Sequence, residues 1–219
     1  MKQSEHLSKI SKYFPELSSD QINQLEALGH IYKRWNQKIN VISRKDLDQF
    51  YIHHVLHSLS IAKFISFKEN TKLLDVGTGG GFPGIPLAIY FKNCSFTLID
   101  SIGKKIKVVN EVKSELKLNN VNAFHQRAEK NHEKYDFIIS RAVTHLSKFC
   151  PWIINNISDQ NNNEIKNGII YLKGGDLKEE IKKVSKKFDC ELINISNYYN
   201  ELFFESKSIL YLKKKNKEQ

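Results

Sequence analysis

Apolar residues recur at three- or four-residue steps through the first part of the chain: Ile22, Leu25, Leu28, Tyr32, Trp35 and Ile39. This spacing predicts one long amphipathic helix, opened by Ser18-x-x-Gln21 as a capping box. A second helix is predicted from Ser43-x-x-Asp46, with Leu47, Phe50, Tyr51, His54, Val55, Leu59 and Ala62 on its inner face. Residues 1–68 therefore read as a helical cap.

From Lys72 the period changes from helical to alternating strand and helix. Leu73 to Val76, Ser95 to Ile99, Val121 to His125, Tyr135 to Ser140 and Gly168 to Lys173 read as strands. Helices are predicted near Pro83, Lys104, Leu146 and Leu177. Such alternation predicts an α/β fold with a mostly parallel, Rossmann-like sheet flanked by helices. Two later apolar runs, Glu191 to Tyr198 and Ser208 to Lys213, predict an antiparallel hairpin at one edge. The expected organisation is a cap over 1–68, an α/β domain over 69–213 and a basic tail over 214–219, together one structural unit.

The run from Lys72 to Pro86 holds five of the chain's ten glycines and two of its four prolines. A strand, a glycine turn and then a helix form a nucleotide-cradling unit, because glycine lets a ligand lie directly on the main chain. The glycines run G-x-G-x-G-x-x-G, unlike the dinucleotide pattern, and Pro83 and Pro86 each delete an N–H donor where a pyrophosphate would sit. A ligand without phosphates loses little there, and S-adenosylmethionine is such a ligand. A nicotinamide-dependent oxidoreductase is the rival enzyme class, and a noncatalytic RNA-binding module is the other alternative.

Composition narrows the picture further. At 219 residues and 40% hydrophobic content the chain can bury one substantial core. No apolar run approaches the ~20 residues that span a bilayer, and the start of the chain lacks a signal-peptide core, so a cytoplasmic location is expected. Cys94, Cys150 and Cys190 are widely separated and form no C-x-x-C, which fits a reducing compartment. The net charge of +10 suits a polyanionic partner such as RNA, although only four of the 34 basic residues are arginines.

Ligands in such sheets bind beyond the carboxyl ends of the strands. Asp75 ends the first strand, where it can orient the loop or accept from a ligand ammonium group. Asp100 ends the second, at close to the ~20-residue spacing from Gly77 at which an acid meets ribose hydroxyls. Arg127-Ala128-Glu129 follows the third strand, placed to bracket an adenine amine. Ser140-Arg141-Ala142 follows the fourth, facing the reaction centre. His53 and His57 stand i, i+4, but with no adjacent glutamate and no third ligand no metal is expected. The three histidines read instead as a polar, partly cationic face where cap meets sheet. Cys150-Pro151 reverses the order used for nucleophilic cytosine methylation, so no catalytic thiol is expected.

Several motifs together resemble one family: Asp75-Val-Gly-Thr-Gly-Gly-Gly-Phe-Pro-Gly-Ile-Pro-Leu87, Leu98-Ile-Asp100-Ser-Ile-Gly-Lys-Lys105, Glu115-Leu-Lys-Leu118, Ser140-Arg-Ala142 and Leu172-Lys-Gly174. Trp35-Asn36 with Asn40, and His54-Val-Leu-His57-Ser58, extend the likeness into the cap. The chain resembles the RsmG family, bacterial 16S rRNA guanine-N7 methyltransferases also called glucose-inhibited division protein B. The resemblance spans all but the first ~15 residues and the lysine tail. It implies a class I methyltransferase fold, with S-adenosylmethionine held at Gly77, Phe82, Ala128, Glu129 and Arg141, and with Asp75, Gly79 and Asp100 beside them. It also implies a target guanosine in the decoding region of the small ribosomal subunit. The chain departs from the family where His53-His54-x-x-His57-Ser58 stands in place of Arg-His-x-x-Asp-Ser. Guanine N7 carries a free lone pair, so no general base is expected, in keeping with the lack of an Asn-Pro-Pro-Tyr motif after the fourth strand. Arg141 with Lys33, Arg34 or Arg44 is the candidate RNA grip, and a monomer is expected.

Overall fold

The computed structural model describes residues 2–43 and 46–215. Seven strands form one sheet in the order β3-β2-β1-β4-β5-β7-β6. They are β1 (Lys72–Val76), β2 (Ser95–Asp100), β3 (Val121–His125), β4 (Phe137–Arg141), β5 (Gly168–Gly174), β6 (Phe188–Asn194) and β7 (Lys207–Lys214). The first five run parallel, and β7 lies antiparallel to both β5 and β6. Central strands β1 and β4 are buried on both faces, which explains their unbroken apolar runs, whereas edge strand β3 is largely exposed. The expected Rossmann-like sheet with its edge hairpin is thus present. Strand β6 begins earlier than its apolar run, because Phe188 to Cys190 already pair with Lys214 to Leu212. Ile195–Asn197 turn out of the strand as a short 3₁₀ segment.

Helices α4 (Gly84–Tyr90) and α5 (Gly103–Glu115) cover one face of the sheet. Helices α6 (Leu146–Ile153) and α7 (Lys178–Val184) cover the other, with Phe149, Ile153 and Val184 packed against Leu74, Ile138 and Leu210. The cap lies outside α4 and α5. Its helices are α1 (Lys2–Tyr13), α2 (Ser19–Asn36) and α3 (His57–Phe64). Leu25, Leu28, Tyr32, Val55 and Leu59 are fully buried and belong to the same continuous core as Ile85, Leu87, Val109 and Leu73.

The Ser18 capping box is formed, and its Gln21 reaches further, donating from Nε2 to the carbonyls of Ile89 and Tyr90 at 2.9 Å. One side chain thereby closes the start of α2 and the end of α4. Two expectations for the cap are corrected. Helix α2 stops at Asn36, because Asn36 Oδ1 accepts from the N–H groups of Val41 and Ile42 and turns the chain, leaving Ile39 beyond the helix. The second predicted helix is three pieces: a 3₁₀ turn over Leu47–Gln49, a π-helical segment over Tyr51–Leu56, and α3. The π segment places Tyr51, Ile52, Val55 and Leu56 in the core. Helix α1 carried no apolar repeat clear enough to be predicted, yet it buries Ile10, and Phe14 just beyond it.

Candidate functional site

Every candidate residue lies at the carboxyl end of the parallel strands. After β1 the chain turns through Gly77, Gly79 and Gly81, whose φ angles of +65°, +59° and +100° favour glycine. Thr78 N–H donates back to Ile99 O at 3.0 Å, and Gly79 N–H donates to Asp100 Oδ2 at 2.9 Å, pinning the turn to β2. Behind the turn, Asp75 Oδ2 accepts from Thr78 Oγ1 at 2.6 Å and from Gly84 N at 2.8 Å, while Oδ1 has no partner. Full burial pushes this carboxyl up to about 7. Asp75 lines neither of the cavities in front of the glycines, so its geometry favours the loop-orienting role over a ligand contact.

The start of α4 offers no free donor. Gly84 N–H goes to Asp75, Ile85 N–H to Gly81 O at 2.7 Å, Leu87 N–H to Pro83 O at 3.3 Å, and Pro86 has none. A phosphate therefore finds nothing to bind there, and the dinucleotide alternative loses its anchor.

In front of the loop lies a cleft of about 380 Å³, walled by Gly77, Gly79, Phe82, Asp100, Lys105 and Arg141. A smaller lobe of about 160 Å³ continues between β1, β2 and the turn after β3, and Gly77, Asp100 and Val143 border both spaces. Ala128, Glu129 and Trp152 line this lobe. Val143 packs directly on Gly77, where an added Cβ would come within 2.5 Å of Val143 Cγ2. All eight predicted site residues except Asp75 thus line these two adjoining spaces. Asp100 is nearly buried, and its Oδ1 also accepts from Ile102 N at 2.8 Å, so both oxygens carry a backbone N–H.

The cap closes this cleft from above. Tyr32 OH donates to Gly80 O, and Val41 packs over the same glycine. Phe82 sits in an aromatic cluster with Tyr32, Phe50 and His54, at ring separations of 5.0, 5.8 and 5.1 Å. Arg141 lies over Phe82 at 5.3 Å and donates to His53 O at 3.0 Å and to His54 Nδ1 at 2.8 Å. Burial lowers its pKa to about 10, so the guanidinium stays charged.

Beyond Arg141 a second cavity of about 230 Å³ opens between His53, His54, His57, Lys173, Phe203 and Lys207. The expectation of a partly cationic histidine face is corrected here. Burial, with the Arg141 charge second, pushes His54 down to about 3, and the same causes with Lys207 hold His57 well below the usual range. Burial thus disfavours a charge on either ring, and the cations lining this cavity are Arg141, Lys173 and Lys207. Of the other candidate RNA contacts, Lys33 is exposed, Arg34 is paired with Glu115 of α5, and Arg44 lies outside the described residues. Among the described residues no three histidine, cysteine or acidic side chains cluster as a metal site, and no helix is long and apolar enough to cross a membrane.

Sequence reasoning missed Tyr32, Val143, Trp152, Phe203 and Lys207. Tyr32 fitted the apolar repeat of α2 and signalled only core, whereas Phe203 in the β6–β7 connection and Lys207 at the start of β7 reach the site through tertiary packing, which no local motif reveals.

Residues 21–218 match the family model for GidB, rRNA small subunit methyltransferase G. The chain is 52% identical over 211 residues to ribosomal RNA small subunit methyltransferase G of Christiangramia forsetii, covering 96% of this chain and 99% of that one. It is 50% identical over 203 residues to the protein of the same name from Cytophaga hutchinsonii, covering 93% and 97%. Among solved structures, a SAM-dependent methyltransferase from Aquifex aeolicus aligns with TM-score 0.54 at 16% identity, over 71% of this chain and 88% of that one. TYW2 of M. jannaschii in complex with AdoMet aligns with TM-score 0.55 at 18% identity, over 80% and 78%. The fold is that of these class I methyltransferases, and with relatives matching it nearly end to end the chain belongs to the GidB family, rRNA small subunit methyltransferase G.

Proposed function

We propose that the protein transfers a methyl group from S-adenosylmethionine to N7 of a guanosine in 16S rRNA of the small ribosomal subunit. The observation that carries this function is the kinship with rRNA small subunit methyltransferases at about half identity over nearly the whole chain. Residues 69–213 supply the cofactor domain and 1–68 the cap. When bound, S-adenosylmethionine supplies an electrophilic sulfonium methyl, which N7 takes with its lone pair as the carbon–sulfur bond breaks.

The residues fit that division of labour. Gly77 and Gly79 present bare main chain for the amino-acid half, and Pro86 and the tied N–H groups of Gly84 and Ile85 leave no phosphate site to satisfy. Asp100 keeps a second lone pair on each oxygen for the ribose hydroxyls. Ala128 and Glu129 address the adenine edge in the lobe beside Trp152. Phe82 and Arg141 close the end where the methyl must emerge. Asp100, the one carboxylate lining the main cleft, already accepts a backbone N–H on each oxygen, so no side chain there is poised as a general base, and none is needed because N7 loses no proton. Catalysis rests on bringing methyl and N7 into line at about 3–3.5 Å. The enzyme acts as a monomer in the cytoplasm.

The test is incubation with unmethylated small subunits and S-adenosylmethionine, followed by digestion and mass spectrometry. N7-methylguanosine at one position is expected. A methyl on an exocyclic amine or a ribose oxygen would overturn the assignment.

A further inference from the structure

Methylation at N7 changes the charge of the acceptor. The N7 lone pair forms the bond to the methyl carbon, the carbon–sulfur pair stays with sulfur, and the positive charge passes from sulfonium to purine. No proton moves, so nothing discharges the base within the site. A neutral base enters and a cation leaves, and groups that attract a flat cation therefore favour the step itself rather than the binding before it.

The acceptor must reach the cofactor cleft from a space that shares a wall with it. The cavity beyond Arg141 is such a space, since Arg141 and Ala142 line both. Its cations would oppose a charged base unless they are engaged elsewhere. Arg141 is turned to His53 O and His54 Nδ1, and Lys173 donates to Thr144 O and pairs with Glu180. Lys207 has no carboxylate partner among the described residues, and its Nζ stands over the Phe203 ring, 5.0 Å from the centroid. Phe203 is half-buried, lines the cavity and thus already holds a cation. His53 stacks on this ring at 4.0 Å with the planes 17° apart, and its Nδ1 is hydrogen-bonded to Asp46 Oδ1 at 2.9 Å. Asp46 lines the same cavity, and hydrogen bonds from Ser43 and His53 hold its carboxyl below the usual range, so it stays ionised. An aromatic ring and a carboxylate therefore face the cavity together, the two kinds of group that attract a flat cation.

We propose that the target guanine stacks on Phe203 in this cavity and that the ring stabilises the positive charge the base acquires, with Lys207 swinging off the ring to a phosphate of the same RNA strand. The proposal rests on the N7 activity above. A lysine stem turns readily, and the phosphate contact offsets the ring contact it gives up.

Fluorinated phenylalanines at position 203 test this, because each fluorine draws charge from the ring face and hardly alters its shape. Methylation of small subunits is measured in a single turnover, with the N7 product identified by mass spectrometry. The rate is expected to fall stepwise from the mono- to the di- to the trifluorinated ring, by about tenfold in all. The Kd for small subunits and for S-adenosylmethionine is expected to hold within about threefold, since the base is neutral until it reacts. Phe203→Leu, which removes the stack as well, is expected to lose about 10–100-fold in kcat/KM. Lys207→Met is expected to weaken binding of small subunits and to flatten its salt dependence by about one ion. A rate indifferent to fluorination, with N7-methylguanosine still formed, overturns the role of Phe203 alone. A salt dependence that Lys207→Met leaves unchanged overturns the movement of the lysine. Absence of N7 methylation by the wild-type enzyme overturns the activity and the proposal together. If Phe203→Leu does not fold, the fluorinated rings still decide.

Discussion

The two cavities that meet at Arg141 are built by opposite means. The cofactor cleft has one wall of main chain, the four residues from Gly77 to Gly80, held by backbone bonds to β2 and by Asp75 behind. The histidine cavity is walled by side chains from distant segments: Asp46, His53 and His54 of the π-helical turn, His57 of α3, the end of β5, Phe203 from the β6–β7 connection and Lys207 at the start of β7. A backbone wall is sensitive to any added Cβ and tolerant of changes around it. A side-chain wall is the reverse, because each residue in it can be changed without moving the main chain.

Arg141 belongs to both, so its loss should have the largest effect. Arg141→Met keeps most of the volume and removes the bonds to His53 O and His54 Nδ1 together with the contact over Phe82. Cofactor end and histidine cavity then lose their common reference, and misplacement of about 1 Å costs roughly 100-fold in rate. The expected result is a fall of at least about 100-fold in kcat/KM for small subunits. An activity within threefold of wild type would separate Arg141 from the reaction.

The cofactor side alone is broken by Gly77→Ala. The new Cβ would stand 2.5 Å from Val143 Cγ2, at a residue whose φ of +65° costs an L-amino acid about 1–2 kcal/mol. The Kd for S-adenosylmethionine measured by calorimetry should rise about tenfold or more, with affinity for small subunits little changed. Equal loss of both would mean that the two cavities are not separable.

How much of each side was legible follows from the same contrast. The cofactor cleft is written in consecutive residues, because a strand, a glycine turn and an acid at the next strand's end are local features whose spacing survives folding. Asp100, Arg141 and the Ala128-Glu129 pair were reachable because they follow strands that alternation alone predicts. The histidine cavity depends on the π turn over Tyr51–Leu56 and on where the β6–β7 connection returns, and neither leaves a periodic mark. The charge of the histidines was illegible for another reason: burial beside Arg141 decides it, and burial is a property of the packed molecule.

Asp75→Asn sharpens what lies behind the backbone wall. Because burial pushes Asp75 up to about 7, the folded chain keeps its proton where the unfolded chain, near pH 3.9, has released it. This group's contribution to stability is therefore full below about pH 4 and declines as the pH rises through 7. Asparagine retains an acceptor for Thr78 Oγ1 and Gly84 N, so the variant should show a flatter melting temperature between pH 4 and 8 and should gain on wild type at the upper end. Its Kd for S-adenosylmethionine should stay within about threefold. A tenfold loss would show that the unpartnered Oδ1 meets the ligand's ammonium group after all.

The smallest effect is expected far from both cavities, at Ser18. Its hydroxyl accepts from Gln21 N at 3.4 Å and closes the first turn of α2, while Gln21 itself holds the end of α4. Ser18→Ala removes the cap and spares Gln21, at a cost of about 1 kcal/mol, or roughly 2–4 °C in Tm for a chain of this size. Because α2 also carries Tyr32, whose hydroxyl donates to Gly80 O, the variant asks whether the cap's stability is transmitted to the glycine turn. Tyr32 lies several turns beyond the frayed end and is fixed by Phe50 and Phe82 on either side. Fraying should therefore stop short of it, leaving the Kd for S-adenosylmethionine and kcat unchanged. A raised Kd with unchanged kcat would instead mean that the backbone wall depends on the full length of α2, and that the cofactor cleft is no more local in its energetics than the histidine cavity is in its sequence.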